Sequence, residues 1–353
     1  MLPYWLLFLI PALGALQERS LQLGPRRRGS PVLAATAVLM SIAIGFRFRV
    51  GGDWWSYLAY LHRAEFLSFS EALTQRDPGY ILLNWLAANT FGEIWVVNFL
   101  CGAIFSWGLL AFAKQQPRPW LALLVAVPYL VIVVAMGYSR QAVAIGLAML
   151  GLVALTRDRS LLKFVLWVAL AATFHRTAVI LIPIAALATD RGRLWTAAWV
   201  GAAAAILYYL LLYDSVDRFM YGYIERGYQS EGAAVRIAMN ALPAAIFLLA
   251  RRRFPLAPGE RRPWMLMAAV AVGCIGLLAV SPSSTAVDRL ALYLVPLQVF
   301  VLSRFPDAFA PRLADRATIA FGVIAYSAVV QFVWLNFAHN ARSWLPYQFY
   351  LMS

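Results

Sequence analysis

Charged residues make up only 13% of this 353-residue chain. Soluble domains carry about 25% charged and roughly 45–50% apolar residues. This sequence is 62% hydrophobic with a mean hydropathy of +0.70, which excludes a soluble globular enzyme. Cysteine is nearly missing. Cys101 and Cys274 stand far apart in apolar stretches with no CxxC or Cys/His cluster, which excludes a zinc site or disulfide framework and leaves both as core filler. The first apolar run, 1–16, has no basic residue ahead of it, as a cleaved signal peptide would. No acidic pair with metal spacing, such as DxD, stands in the segments read below as outer loops, so neither a bound divalent ion nor another cofactor is expected. Fixed-period repeats, low-complexity tracts and linkers are also missing, which reads as one domain over 1–353.

Positive charge, by contrast, is abundant: 30 Lys and Arg against 16 Asp and Glu give a net charge of +14. Nucleic-acid binding would require a basic face on a soluble fold. Here the basic residues sit in short breaks between apolar runs, so they report membrane topology and no nucleic-acid partner is expected. A bilayer-crossing helix needs about 20 mostly apolar residues, with a range of roughly 17–25. Runs near 1–16, 31–46, 94–113, 120–136, 142–156, 161–174, 177–188, 195–213, 235–250, 264–281, 290–303 and 317–337 read as spans. The fold class expected is therefore an all-α polytopic integral membrane protein of about 12 transmembrane helices, embedded among membrane lipid.

Basic residues concentrate in cytoplasmic loops. Arg19 and Arg26, Arg27 and Arg28 follow the first run, which puts the N-terminus outside. That register places 19 of 30 basic and six of 16 acidic residues inside, a net +13, against 11 and ten outside, a net +1. The outer segments are 47–93, 214–234 and 338–353. Within the first, Tyr80 to Phe91 is apolar but only about twelve residues long, and counting it as a span would invert every loop downstream. It reads as a re-entrant or interfacial helix. Trp54 to Phe69 alternates aromatic and polar residues and reads as a helix lying at the membrane surface.

Ionisable groups at membrane depth are expensive and are functional candidates by default. Several gather on the outer side. Arg140 and Gln141 follow Gly137-Tyr138-Ser139; His175 and Arg176 break the two short spans 161–174 and 177–188; Asp288 and Arg289 open 290–303; and Asp53 and Tyr57 head the large outer loop. Each has a plainer reading: Arg140 as a snorkelling anchor, His175 as a satisfied buried histidine, Arg289 as the ion-pair partner of Asp288, and Asp53 as a turn residue. His62 and His339 read as surface groups. Arginines, a histidine and a carboxylate in one outward cavity suit a lipid diphosphate, because guanidinium forks grip phosphate oxygens and keep their charge. Transfer of a sugar from such a lipid needs a base for the acceptor hydroxyl, which His or Asp can supply, and cations for the departing diphosphate.

The same residues resemble the ordered blocks of the EpsG family: Gly52-Asp53 with Tyr57; Pro78-Gly79-Tyr80 with Leu83-Asn84; Ser139-Arg140-Gln141 with Ala142 and Ala144; Leu170-Ala171 with Phe174-His175-Arg176-Thr177-Ala178 and Pro183; and Asp288-Arg289-Leu290 with Tyr293. Thr177, where serine is more usual, and Trp54-Trp55 after the aspartate depart from the pattern. That family resembles Wzy-type polymerases of exopolysaccharide and O-antigen synthesis. The resemblance implies a metal-independent, GT-C-like glycosyltransferase of the bacterial inner membrane with its site facing the periplasm or exterior. It would move a growing glycan from undecaprenyl diphosphate to a new lipid-linked oligosaccharide repeat, alongside a flippase and a chain-length co-polymerase. Arg140 and Arg289 would then hold the diphosphate and His175 or Asp53 would be the base. Tyr57, Tyr138, Gln141, Arg176, Asp288 and Tyr293 would position sugar or phosphate. A ligase or single-sugar transferase with the same donor, and a lipid transporter, are the competing readings. A transporter predicts inverted repeats and charges near the midplane, whereas here the charges gather at one face.

Overall fold

The computed structural model describes residues 1–18, 31–188, 229–257, 259–310 and 312–352, with a few positions between 198 and 205. The expected span 195–213, the basic residues of 19–30 and the outer tyrosines Tyr221, Tyr223 and Tyr228 lie outside the described residues. Within them the chain is nearly all-α. The bilayer core gives backbone polar groups no water to bond, so an apolar run must satisfy them along its own helix.

Five helical stretches are long and apolar enough to cross a membrane: Ile94–Ala113, Ser139–Thr156, Arg261–Val280, Ser284–Leu302 and Asp315–Phe337. Five shorter apolar helices accompany them, Leu2–Gln17, Pro31–Gly45, Pro119–Ala135, Leu161–Phe174 and Ala233–Leu249. Of the twelve expected spans, five are of span length among the described residues. The run 177–188 falls short because it opens as a 3-10 turn, Arg176–Leu181, before the short helix Ile182–Ala188.

In chain order, α1 (Leu2–Gln17) and α2 (Pro31–Gly45) lead through a two-residue strand β1 (Arg47–Phe48) into α3 (Trp54–Ala64), α4 (Phe69–Thr74) and α5 (Pro78–Ala88). These three short helices pack on one another, and α5 also rests on α9. They are helical where the sequence reading expects surface and re-entrant helices over 54–91. Then come α6 (Ile94–Ala113), α7 (Pro119–Ala126), α8 (Ser139–Thr156), α9 (Leu161–Phe174) and α10 (Ile182–Ala188). After the undescribed stretch follow α11 (Ala233–Leu249), α12 (Arg261–Val280), α13 (Ser284–Ala291), α14 (Val295–Leu302), α15 (Phe305–Phe309) and α16 (Leu313–Phe337).

Helices α2, α6, α8 and α9 lie side by side in that order, and α8 is the inner member. Its window is 89% buried, against 28% for α16 and 33% for α12, whose apolar faces point outward. The α6–α8 crossing is tight because glycine meets glycine: a Cβ on Gly108 would collide with the backbone of Gly146, and one on Gly146 would sit 2.8 Å from the Phe105 Cα. Small residues let helices approach where the lipid offers no hydrophobic drive.

α7 continues as a wide, π-wound stretch, Val127–Ala135, containing Pro128, which has no N–H to give. The indole of Trp344 reaches into this stretch and donates to the Ile132 carbonyl at 2.8 Å. The tail carrying Trp344 then adds strand β2 (Gln348–Phe349), antiparallel to β1. Gly51, at a φ of +106° open to glycine, donates its N–H to Ser343 at 2.8 Å. The chain's end is thereby sewn to the loop that precedes α3. At the opposite end of the bundle, Arg118 forks onto Asp307 (3.1 and 3.2 Å), Arg316 joins the same carboxylate, and Arg157 meets Glu260 at 3.3 Å. Cys101 and Cys274 are both free and buried, as expected of core filler.

Candidate functional site

The site is assembled where α8 begins. Tyr138 breaks the wide helix, and Ser139 opens α8 with its hydroxyl accepting a 2.7 Å hydrogen bond from Arg47. Arg47 is fully buried; its guanidinium also donates to Asn98 Oδ1 at 2.9 Å and to the carbonyls of Ile44 and Val50. Arg140, one residue on, is half-buried at the end of the bundle. Its Nη1 donates to Asp77 Oδ2 at 2.9 Å and to the Tyr60 hydroxyl at 3.3 Å, and its charge lies 5.0 Å from the Tyr60 ring centre.

Asp77 is the hinge of this arrangement. It precedes Pro78 at the head of α5 with φ +55°, a left-handed conformation that Asp tolerates better than most residues. Its carboxylate is 4% exposed and also faces Arg176, whose Nε lies 3.4 Å from Oδ1. One carboxylate therefore bridges arginines from two separate elements.

Arg176 follows His175, where α9 stops and the backbone becomes extended. The His175 Nδ1 lies 2.6 Å from the Thr177 hydroxyl and 3.0 Å from the Tyr293 hydroxyl. Burial pushes this imidazole, which lies between the apolar segments, down to about 3; Arg140, Arg289, Arg76 and Arg176 push the same way. It is a neutral ring in a positive field.

α13 supplies the other wall. Arg289 is half-buried, its guanidinium is 5.8 Å from the Tyr138 ring centre, and its carbonyl accepts from Gln141 Nε2 at 2.8 Å. The plainer reading, in which Arg289 pairs with Asp288, is overturned: Asp288 is gripped by Arg236 through Nε (2.8 Å) and Nη2 (2.7 Å) and accepts from Ser230. Successive residues on a helix point different ways, and Asp288 turns toward α11 while Arg289 turns toward Tyr138. Asp53, at the start of α3, is half-buried; its carbonyl accepts from the Tyr57 N–H at 3.0 Å, and its carboxylate has no hydrogen bond or ion pair among the described residues. Burial raises its carboxyl, with Arg289 and then Arg140 pulling it partly back.

Three contact groups, Arg140–Asp77–Arg176, His175–Tyr293 and Gln141–Arg289–Tyr138, are thus linked through neighbouring residues of the chain into one constellation, and Asp53 lies in the field of Arg289 and Arg140. Tyr57 is buried against Tyr80, with ring centres 5.7 Å apart, so it supports the floor. Tyr293 is equally buried and bonded to His175.

The EpsG family model matches residues 32–349. The chain belongs to the EpsG family. No curated protein and no solved structure matches it. The match begins in α2 and ends in β2, so it takes in every residue of the constellation and the tail that braces it. Membership of the EpsG family points to a polysaccharide-related polymerase in a multi-pass membrane setting. In this candidate site of an EpsG-family chain, Asp77, Tyr60, Arg47 and Arg236 were not singled out by the sequence reading. Asp77 carried a signal, standing directly before the Pro78-Gly79-Tyr80 block. Arg236 was one of several basic residues left on the outer side by the loop count. Tyr60 looked like one more ring of the interfacial belt, and Arg47 like a loop end.

Proposed function

We propose that this protein polymerises polysaccharide repeat units, moving a growing glycan from a polyprenyl diphosphate onto a new lipid-linked oligosaccharide at the outer face of the bacterial inner membrane. The observation that carries the reading is the meeting of three half-buried guanidiniums, Arg140, Arg176 and Arg289, with His175 and Asp53 at one end of a lipid-embedded bundle. One carboxylate, Asp77, serves both Arg140 and Arg176, and Arg289 has no ion pair among the described residues, so the site carries surplus positive charge that an anion would offset, and a diphosphate presents several charged oxygens to guanidinium forks.

In the proposed reaction a base takes the proton of the acceptor hydroxyl. The freed oxygen bonds to the anomeric carbon of the donor sugar, and the bond from that carbon to the diphosphate oxygen breaks with its electron pair. Arg140 and Arg289 hold the charge that collects on the leaving diphosphate. Arg176, Gln141 and Tyr138 orient donor and sugar, and His175 or Asp53 takes the proton.

Reconstitution with lipid-diphosphate oligosaccharide from the host, with products resolved by size, tests this. A ladder that vanishes in Arg140→Ala is expected. A single larger product would make the protein a ligase or single-sugar transferase, and movement of intact lipid between leaflets without any product would make it a transporter.

A further inference from the structure

The two groups able to act as base are held very differently. His175 is pinned through Nδ1, with Thr177 Oγ1 at 2.6 Å and Tyr293 Oη at 3.0 Å. The Tyr293 hydroxyl is buried and that of Thr177 half-buried, and among the described residues the two have few other acceptors. The Thr177 to Tyr293 separation is 3.4 Å, and the Tyr293 hydroxyl lies 3.5 Å from the His175 carbonyl. Both are at the long edge of hydrogen bonding, where O–H···O bonds normally measure about 2.5–3.0 Å. An Nδ1–H pointing at the pair would leave both hydroxyl protons with only these long contacts. An unprotonated Nδ1 receives one at short range. In a neutral imidazole an accepting Nδ1 places the proton on Nε2, and Nε2 has no partner among the described residues.

We propose that Thr177 and Tyr293 are positioning residues that lock His175 as the Nε2–H tautomer, so that His175 donates a hydrogen bond to a diphosphate oxygen and Asp53 is the base. A ring with its proton on Nε2 and its lone pair filled by a hydroxyl cannot accept a proton from sugar. Asp53 has two free carboxylate oxygens, and the charged groups in its field are Arg289 and Arg140, with the hydroxyls of Tyr57 and Tyr138 nearby. Its carboxylate takes the acceptor's proton, the acceptor oxygen closes on the anomeric carbon, and the diphosphate departs onto Arg140, Arg289 and the His175 Nε2–H. The proton on Asp53 then passes to water. The field around His175 comes from Arg140 on α8, Arg289 on α13, Arg76 ahead of α5 and neighbouring Arg176, and it opposes protonation of the ring.

The chemical half of this inference rests on the polymerase reading; the tautomer does not. The first test is therefore spectroscopic. Protein labelled with 15N-histidine carries only three such rings, and His175→Gln assigns the one that matters. An unprotonated Nδ1 and a protonated Nε2 are expected for His175 at pH 7, with a second tautomer emerging in Thr177→Val/Tyr293→Phe. A protonated Nδ1 in the wild type overturns the lock.

The second test uses the lipid-diphosphate assay. A glutamine amide N–H can stand where Nε2–H stands but has no basic nitrogen. His175→Gln should keep activity within about tenfold of wild type, while His175→Ala and Asp53→Asn each lose about 100-fold or more. Asp53→Asn should leave the donor KM within about twofold, since only kcat depends on a base, and the acid limb of the pH profile should vanish with it. If His175→Gln is as inactive as His175→Ala, while folded Asp53→Asn keeps more than about a tenth of wild-type rate, His175 is the base and the inference is wrong. If the wild type makes no product, the polymerase reading fails while the spectrum still judges the tautomer.

Discussion

Asp77 sets the direction in which two arginines face. With its carboxylate 2.9 Å from Arg140 and 3.4 Å from Arg176, its single negative charge is shared between two positive ones. Removing one partner of a buried pair typically costs about 3–5 kcal/mol because a buried charge is stranded. Arg140 is 23% exposed, so the lower end applies: Asp77→Ala should lose about 3 kcal/mol in detergent unfolding and fall further in activity than Asp77→Glu. Equal activity in the two variants would remove Asp77 from the positioning of the site. His175 yields a pH prediction at the same scale. Its folded value of about 3 lies below the free value of about 6.5, so the unfolded chain binds a proton that the folded chain refuses. The associated stability is intact above about pH 6.5 and is lost as pH falls from there toward about 3. Unfolding midpoints compared at pH 7 and pH 4.5 should drop more in the wild type than in His175→Gln; parallel curves would mean that the ring accepts its proton in the folded state. Arg140, His175, Arg289 and Asp53 were legible as candidates because ionisable groups are conspicuous among apolar neighbours. Their partners were not, since the choice of Arg236 over Arg289 for Asp288 depends on the side to which each helix turns.

The elements hold those residues through a few close crossings. Gly108 and Gly146 let α6 and α8 touch, and α8 carries Arg140 at its open end. Gly146→Leu would force the helices apart; overpacking a tight interior costs about 1–3 kcal/mol, and a displaced α8 would lose activity beyond that stability loss. Size-exclusion homogeneity and the lipid-diphosphate assay check both parts, and a fully active Gly146→Leu would show that the crossing does not set the site. The break of α9 at His175 could be read from Phe-His-Arg-Thr between two short apolar runs. That α5 is a short helix and not a full span could be read from its length. The π-wound stretch 127–135 and the β1–β2 pairing could not: the first departs from a purely apolar run by a few carbonyl registers, and the second pairs two residues with others about 300 positions away.

At the scale of the whole molecule, polar groups divide between two ends. One end holds Arg140, Arg176, Arg289, His175 and Asp53; the other holds Arg118, Asp307, Arg316, Arg157 and Glu260, paired among themselves. At the second end each of these arginines has a carboxylate partner, whereas at the first, one carboxylate, Asp77, serves both Arg140 and Arg176, and Arg289 has no ion pair among the described residues; this surplus of positive charge is what the proposed diphosphate would meet. Which leaflet it faces is an expectation from the sequence: with loop charges of +13 on one side and +1 on the other, the positive-inside rule predicts a site that faces outward. Cysteine labelling can decide this, because Cys101 and Cys274 are buried and give little background. Ser56 is exposed on α3 beside Asp53, and Arg252 is exposed at the opposite end. In intact cells with a permeable outer envelope, an impermeant maleimide should modify Ser56→Cys at once and Arg252→Cys only after lysis. The reverse pattern would put the arginines in the cytoplasm, where a lipid-linked repeat is met before it crosses the membrane. The reaction would then be a cytoplasmic assembly step, and the flippase expected to deliver the donor would have to act after this protein.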